Sequence, residues 1–361
     1  ILNNFIVPLK LPQYWDPLLS IYGLGNWIPL FGIFFGCQSF LSTGKQRKRF
    51  AILVIISTFP VLFSGFGQYY FNWHGPLETL NGLIVWYQRP ILRNYGLTGL
   101  FNNQNYAGSW LNLVWPFCIA LVMEKSKNFF KKSFSICILL ATGLAIFLTN
   151  SRNAWAGLLA SLPIVCGVEN IFITGIILTI IVSVSIFSLS PIFDGELQNF
   201  LRNFIPNNVI NKFSSANFDA YTISRIEIYI RAIKMIQLNP IFGLGAAVFP
   251  LIFSASEIHW INHTHNLPIE LALSYGLPVT LLLFGAISLI ILLTGKIILR
   301  QNKEDNQEFI YYERAFWTSA FIFLLSQLTD IQYFDGKISI LFWLLIAGLK
   351  NMIQKDEYYK V

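Results

Sequence analysis

The chain has 361 residues, 55% of them hydrophobic and only 12% charged, with a formal net charge of +7 and a mean hydropathy of +0.56. Soluble proteins carry about 25% charged residues, so the composition excludes an ordinary soluble domain and points to an all-α polytopic membrane protein. A β-barrel would instead alternate apolar and polar positions over segments of about 10 residues.

The positive charge clusters in short loops and accompanies no RNA- or DNA-binding motif, so nucleic acid is not an expected partner. The chain begins at Ile1 with no basic region leading into an apolar run, so no signal peptide is expected, and residues 1–22 read as a remnant of a longer N-terminal region. The 1–361 stretch reads as a single integral membrane domain. About nine spans are expected, at roughly 23–42, 50–66, 106–123, 133–150, 153–168, 170–190, 266–294, 314–334 and 338–352.

The apolar run 133–168 would be about 54 Å long as one helix, against a hydrocarbon core of about 30 Å. It must break, and Asn150-Ser151-Arg152-Asn153 is the only strongly polar cluster within it. Lys45, Arg47, Lys48 and Arg49 mark one loop as cytoplasmic, Lys125, Lys127, Lys131 and Lys132 a second, and Lys296, Arg300 and Lys303 a third. Lys350, Lys355 and Lys360 put the C-terminus on the same side. Alternating spans then place the loop 67–105, the break at Arg152 and the long loop 191–265 on the outer face.

The loop 191–265 is too long to be a mere connector. Ile223, Ile226, Ile230 and Ile233 recur in it at helical spacing, with Arg225, Glu227, Arg231 and Lys234 between them. This predicts an amphipathic helix lying on the membrane surface or on the bundle. Asn239-Pro240 should stop it, and Gly243 and Gly245 allow a tight turn. The four cysteines, Cys37, Cys118, Cys137 and Cys166, fall in apolar runs and form no CxxC, which reads as apolar packing.

Three residues stand out for chemistry. Arg152 is either an arginine snorkelling to headgroups or a fixed cation facing a cavity, suited to phosphate or carboxylate. Arg225 is either a surface arginine or a second such cation, able to share one diphosphate with Arg152. His265 closes a run of three histidines, His259, His263 and His265, in a chain that has only 4. Asn266 is a good N-cap and Pro268 is tolerated in a first turn. His265 would then sit at a helix N-terminus, where an anionic ligand is favoured and an imidazole can take a proton. A zinc site built from the three histidines lacks a recognised spacing, so no metal is expected. Glu270, Asp330 and Asp335 read as interfacial acids. The string Asn102-Asn103-Gln104-Asn105-Tyr106 precedes a helix and reads as its cap. Arg89 and Arg93 lie in the same loop.

Four segments together resemble the O-antigen ligase family, which shares a C-terminal domain with O-antigen polymerases and some bacterial protein O-oligosaccharyltransferases. They are Gly99-Leu-Phe101-Asn102-Asn-Gln-Asn105-Tyr106-Ala-Gly108; Ser151-Arg152-Asn153-Ala154-Trp155-Ala-Gly157; Ser224-Arg225 with Asn239-Pro240-Ile-Phe-Gly243-Leu-Gly245; and His263-Thr-His265-Asn266-Leu with Glu270 and Tyr275-Gly276-Leu-Pro278. Gln104, Asn153, Ala246 and Val279 depart from the family pattern, which touches backbone geometry rather than chemistry.

The resemblance implies a glycosyltransferase-C-like bundle in the bacterial inner membrane, with a periplasmic active face and no metal or other cofactor. The implied donor is a glycan on undecaprenyl pyrophosphate, and the implied acceptor is lipid A core or another glycan, with membrane lipids around the bundle. Arg152 and Arg225 would hold the pyrophosphate, and His265 would orient or deprotonate the acceptor. All three should lie within about 10 Å of one another. Asn105, Arg89, Arg231, His263 and Asn266 are the expected substrate-binding residues. A polymerase of the same superfamily, or a bicarbonate-type transporter such as some relatives have been labelled, remains an alternative. Spans nearly free of charge, with polar residues gathered on the outer face, favour the enzyme over the transporter.

Overall fold

A computed structural model describes residues 17–91, 95–167, 225–255, 261–300 and 309–358, with isolated positions between 172 and 198. The expected N-terminal remnant before 17, most of the span 170–190, the loop before Arg225, Arg93 and His259 lie outside the described residues.

The protein is an all-α membrane protein. In chain order its helices are α1 (Pro17–Leu24), α2 (Ile28–Gly36), α3 (Gly44–Ser57), α4 (Phe59–Phe71), α5 (Gln104–Met123), α6 (Phe129–Leu148), α7 (Arg152–Cys166), α8 (Arg225–Leu238), α9 (Val248–Ala255), α10 (Leu267–Tyr275), α11 (Leu277–Arg300), α12 (Ile310–Ser326) and α13 (Gly336–Tyr358). Strands β1 (Leu77–Thr79) and β2 (Ile84–Trp86) form a hairpin between α4 and α5. Among the described residues, five stretches are long and apolar enough to cross a bilayer: Gly44–Phe71, Gln104–Met123, Phe129–Leu148, Leu277–Leu299 and Gly336–Gln354.

The helix pair 133–150 and 153–168 emerges as α6 and α7, broken at 149–151 as the polar cluster predicts. Three other expected spans differ. The span at 23–42 is divided by a turn at Gly25–Trp27, where Gly25 N–H donates to Tyr22 O. The span 266–294 divides at Gly276, whose φ of +86° is a left-handed conformation that suits glycine. Its neighbours also require it, because a Cβ there would collide with the Ile241 backbone. The span 314–334 stops at Ser326, and residues 327–335 form a compact turn.

The chain divides into two compact units. The larger holds residues 37–222, 291–324 and 344–361. Its centre is α5 packed on α7. A Cβ on Gly108 would stand 2.8 Å from Ala154 Cβ, and one on Gly157 would collide with the Asn112 side chain. The small residues of two of the sequence motifs are therefore what lets these helices touch. Trp115 Nε1 of α5 donates to Leu158 O of α7, and Trp155 Nε1 of α7 donates to Phe147 O of α6, each at 3.1 Å. At another part of this unit Arg47 and Glu313 form a buried ion pair, and Glu124 receives Lys48, Lys131 and the Tyr312 hydroxyl.

The smaller unit holds residues 1–36, 223–290 and 325–343. Its apolar core joins Ile228, Ala232, Met235 and Ile236 of α8 to Phe249 and Phe253 of α9 and Ala272 and Leu273 of α10. The helix 225–238 and its stop at Asn239-Pro240 match the sequence reading, but the face it buries does not. Ile226, Ile230 and Ile233 are exposed, and the intervening Ile228 and Ala232 pack inward. Tertiary packing chose a stripe on nearly the opposite face, about 150° around the helix at about 100° per residue. A stacked pair, Trp27 and Tyr333 with centroids 4.6 Å apart, supports the other side of this unit.

Candidate functional site

The histidine segment lies in the smaller unit, and local sequence fixes its shape. Asn266 caps α10, its side chain accepting from Ile269 N–H at 3.0 Å, with Pro268 in the first turn. His265, just before the cap, takes a left-handed φ of +56°. That conformation is uncommon for a residue with a Cβ. Three contacts over-determine it. Tyr229 Oη of α8 donates to His265 O at 3.4 Å, His265 N–H donates to His263 Nδ1 at 3.2 Å, and the two imidazoles meet edge to face with centroids 4.5 Å apart.

A second segment, 327–333, is folded against this one. Gln327 is fully buried, and its amide oxygen accepts from the N–H groups of Gln332 and Tyr333, each at 3.1 Å. Gln327 O accepts from Leu267 N–H at 2.9 Å, and Asn266 Nδ2 donates to Leu328 O at 2.8 Å. The tie between segments brings Asp330, buried, to His265: Nδ1 and Oδ1 are 2.7 Å apart. A carboxylate there accepts the Nδ1 proton, which leaves Nε2 as the basic nitrogen.

Arg225, the first residue of α8, donates from its guanidinium to Thr329 O at 2.5 Å, one residue from Asp330. Burial alone would raise the Asp330 carboxyl, but the hydrogen bond from His265 and the positive charges of His265, His263 and Arg225 hold it below the usual carboxylate value. Burial pushes the His263 imidazole down to about 4, reinforced by the charge on His265, so His263 is neutral near pH 7. Glu270 is buried on α10 and accepts from Thr264 N–H at 2.8 Å, and burial raises its carboxyl.

The structure thus brings Arg225, His263, His265 and Asp330 into one cluster. Asp330 is the member that the sequence reading set aside as an interfacial acid. Both ends of the Asn266 side chain are engaged within the fold. Arg231 pairs with Glu227 at 2.6 Å and lies over the Phe253 ring. His263, His265 and Asp330 offer ligand atoms all within 4.8 Å of one another, a His₂–carboxylate set able to hold a divalent ion.

Arg152 and Asn105 belong to the larger unit. Arg152 opens α7 and is exposed, and among the described residues no carboxylate forms an ion pair with it. Its corner is tightly built. Asn150 takes a φ of +54°, Leu97 N–H donates to Leu148 O at 2.8 Å, and Gln104 Oε1 accepts from Gly96 N–H at 2.5 Å. Asn105 is in the first turn of α5, whose cap is Asn103, accepting from the N–H groups of Asn105 and Tyr106. Arg89 is exposed, and its carbonyl accepts from Gln68 Nε2.

Compared with known proteins, residues 136–284 match the family model described as O-antigen ligase. No curated protein matches the chain.

Proposed function

We propose, from the match of residues 136–284 to the O-antigen ligase family model, that the protein moves a glycan from undecaprenyl pyrophosphate to a sugar hydroxyl at the periplasmic face of the inner membrane. The observation that carries this reading is the His265–Asp330 pair at 2.7 Å. The Asp330 carboxylate fixes the imidazole tautomer and offsets the imidazolium charge that develops. Nε2 of His265 then takes the proton of the acceptor hydroxyl. The acceptor oxygen bonds to the anomeric carbon of the donor, the bond from that carbon to the pyrophosphate oxygen breaks, and the pyrophosphate leaves with the electron pair.

Arg225 and Arg152 supply positive charge for the leaving group, an interaction that strengthens as charge develops on it. His263, neutral near pH 7, supports His265 and keeps the cluster from carrying a second imidazolium. Asn105, Arg89, Arg231 and Asn266 are assigned to positioning donor and acceptor. The reaction needs no metal in this reading. The acceptor is lipid A core for a ligase and another lipid-linked repeat for a polymerase.

The test is the surface glycolipid profile of cells lacking the protein, complemented with wild type, His265→Ala or Arg152→Ala. Loss of long-chain lipopolysaccharide with accumulation of undecaprenyl-linked glycan, restored only by wild type, supports ligase-type transfer. Retention of one-repeat lipopolysaccharide assigns polymerase chemistry. An unchanged profile in the deletion strain sinks the O-antigen reading and turns attention to bicarbonate uptake.

A further inference from the structure

The β1–β2 hairpin has no part in the proposed transfer, and its surface is apolar on both sides. Leu77 pairs with Trp86, Glu78 with Val85 and Thr79 with Ile84. Asn81 and Gly82 form the turn with φ of +55° and +85°, and Leu83 N–H donates to Leu80 O at 3.2 Å. Leu80 is left-handed as well, with φ of +53°, so a four-residue loop, Leu80–Leu83, joins the strands after the Thr79–Ile84 pair. A hairpin standing in water keeps at least one polar face. Here the tip leucines Leu80 and Leu83 are 69% and 81% exposed, and Ile84 and Val85, which point to opposite faces, are each 54% exposed. Leu77 and Tyr87 are exposed as well. Glu78 is the only charged residue from Leu77 to Tyr87.

The root of the hairpin stands beside a membrane span. After α4 the chain turns back at Asn72, which has a φ of +54°. Trp73 N–H donates to Gly67 O, and the Trp73 ring lies 5.1 Å from that of Phe63. Gly75 N–H donates to Gln88 O at 2.8 Å, closing the base, and the buried Gln88 side chain donates to Ser64 O at 3.1 Å. Seven residues separate Ser64 from Phe71, about 10 Å along a helix. The base therefore lies alongside the last two turns of the Gly44–Phe71 span rather than beyond it. Tyr69, Tyr70, Phe71 and Trp73 cluster there, the composition of an interfacial aromatic belt.

Two constraints set the depth. A two-stranded ribbon has unpaired N–H and C=O groups along both outer edges, which hydrocarbon does not tolerate. A contiguous exposed apolar surface is equally ill-suited to bulk water. The headgroup–acyl boundary meets both demands, offering water to the edges and apolar surroundings to the leucines. We propose that the Leu77–Tyr87 hairpin is a wedge lying in the headgroup–acyl boundary at the α4 end of the bundle, its partner the lipid bilayer itself. The same loop returns to the α6–α7 corner, where Gly96 packs on the Thr149 carbonyl and Leu97 N–H donates to Leu148 O. The wedge therefore tethers the corner that carries Arg152 to the lipid surface.

The test uses the full chain in liposomes, with its four cysteines replaced by serine and spin labels placed one at a time at Leu83→Cys, Ile84→Cys and, as an aqueous reference, Lys127→Cys. Collision with oxygen is compared with collision with a water-soluble nickel chelate. The expected oxygen-to-nickel ratio is severalfold higher at 83 and 84 than at 127. A ratio equal to that at 127 overturns the wedge, and so does a label immobilised and shielded from both reagents, which would mean that protein covers the hairpin. In a second variant, Leu80→Asp with Leu83→Asp, the label at 84 should fall to the reference ratio while the thermal midpoint stays unchanged, because neither leucine is buried. A ratio that stays high overturns anchoring by the tip. None of these readouts uses transferase activity, so they stand apart from the proposed reaction.

Discussion

At the residue scale the cluster around His265 makes the sharpest predictions. Replacing His265 by Ala should lower turnover by about 10²–10⁴-fold, the usual contribution of a positioned proton acceptor. Radioactive glycan transfer in proteoliposomes measures it, with membrane insertion checked in parallel, and wild-type turnover would remove the residue from the reaction. Asp330→Asn should also be severe, up to about 10⁴-fold, because an amide N–H presented to Nδ1 favours the wrong tautomer. If Asp330 only braced the turn, Asp330→Asn would shift stability and leave the pH profile of transfer unmoved.

The pH dependence of stability follows from the same cluster. His263 has a folded-state pKa near 4 against an ordinary 6.5. An unfolded chain therefore takes up a proton below about 6.5 that the folded chain refuses until about 4, and stability falls as pH falls through that window. The depressed Asp330 carboxyl acts in the same direction at more acid pH, since its stabilisation is present above its unfolded value and is lost as pH falls through the folded one. Unfolding midpoints measured from pH 7 to 4 should drop in wild type and drop less in His263→Gln.

At the scale of elements, glycines decide where helices meet and end. Gly276 has φ +86° and ψ 166°, a region essentially closed to other residues. Gly276→Ala should therefore cost about 1–3 kcal/mol from backbone strain, with more added by the contact with Ile241. A lowered thermal midpoint with the helical circular-dichroism signal retained is the expected result. The α8 helix teaches a related lesson. Its isoleucine spacing correctly announced a helix, yet period alone could not say which stripe would be buried, because Ile228, Ala232, Met235 and Ile236 form an equally regular set.

At the scale of the whole molecule, the family match and the five bilayer-length stretches place the chain among integral membrane proteins. The metal-free reading is tested by chelation. Transfer should persist in EDTA. Loss on chelation with recovery on adding zinc would instead make His263, His265 and Asp330 its ligands, since their donor atoms lie within 4.8 Å of one another.

What the sequence determined by itself was whatever local chemistry dictates. The low charge specified a membrane bundle, the Asn150–Asn153 cluster specified a break, Asn239-Pro240 specified a helix end, and Asn266 with Pro268 specified a helix start. Each of these depends on neighbours a few residues away, whose preferences are strong enough to act alone. The partner of His265 was not legible, because Asp330 is 65 residues distant and resembles any acid at a helix end. Only the tertiary structure brought it into place, through the buried Gln327 that folds the 327–333 turn and the backbone bond from Leu267 that docks it. The exposed apolar hairpin is the same kind of outcome. The sequence reading saw only a loop at 67–105, and whether the hairpin's leucines face protein or lipid is set by where Gln88 fastens it to α4.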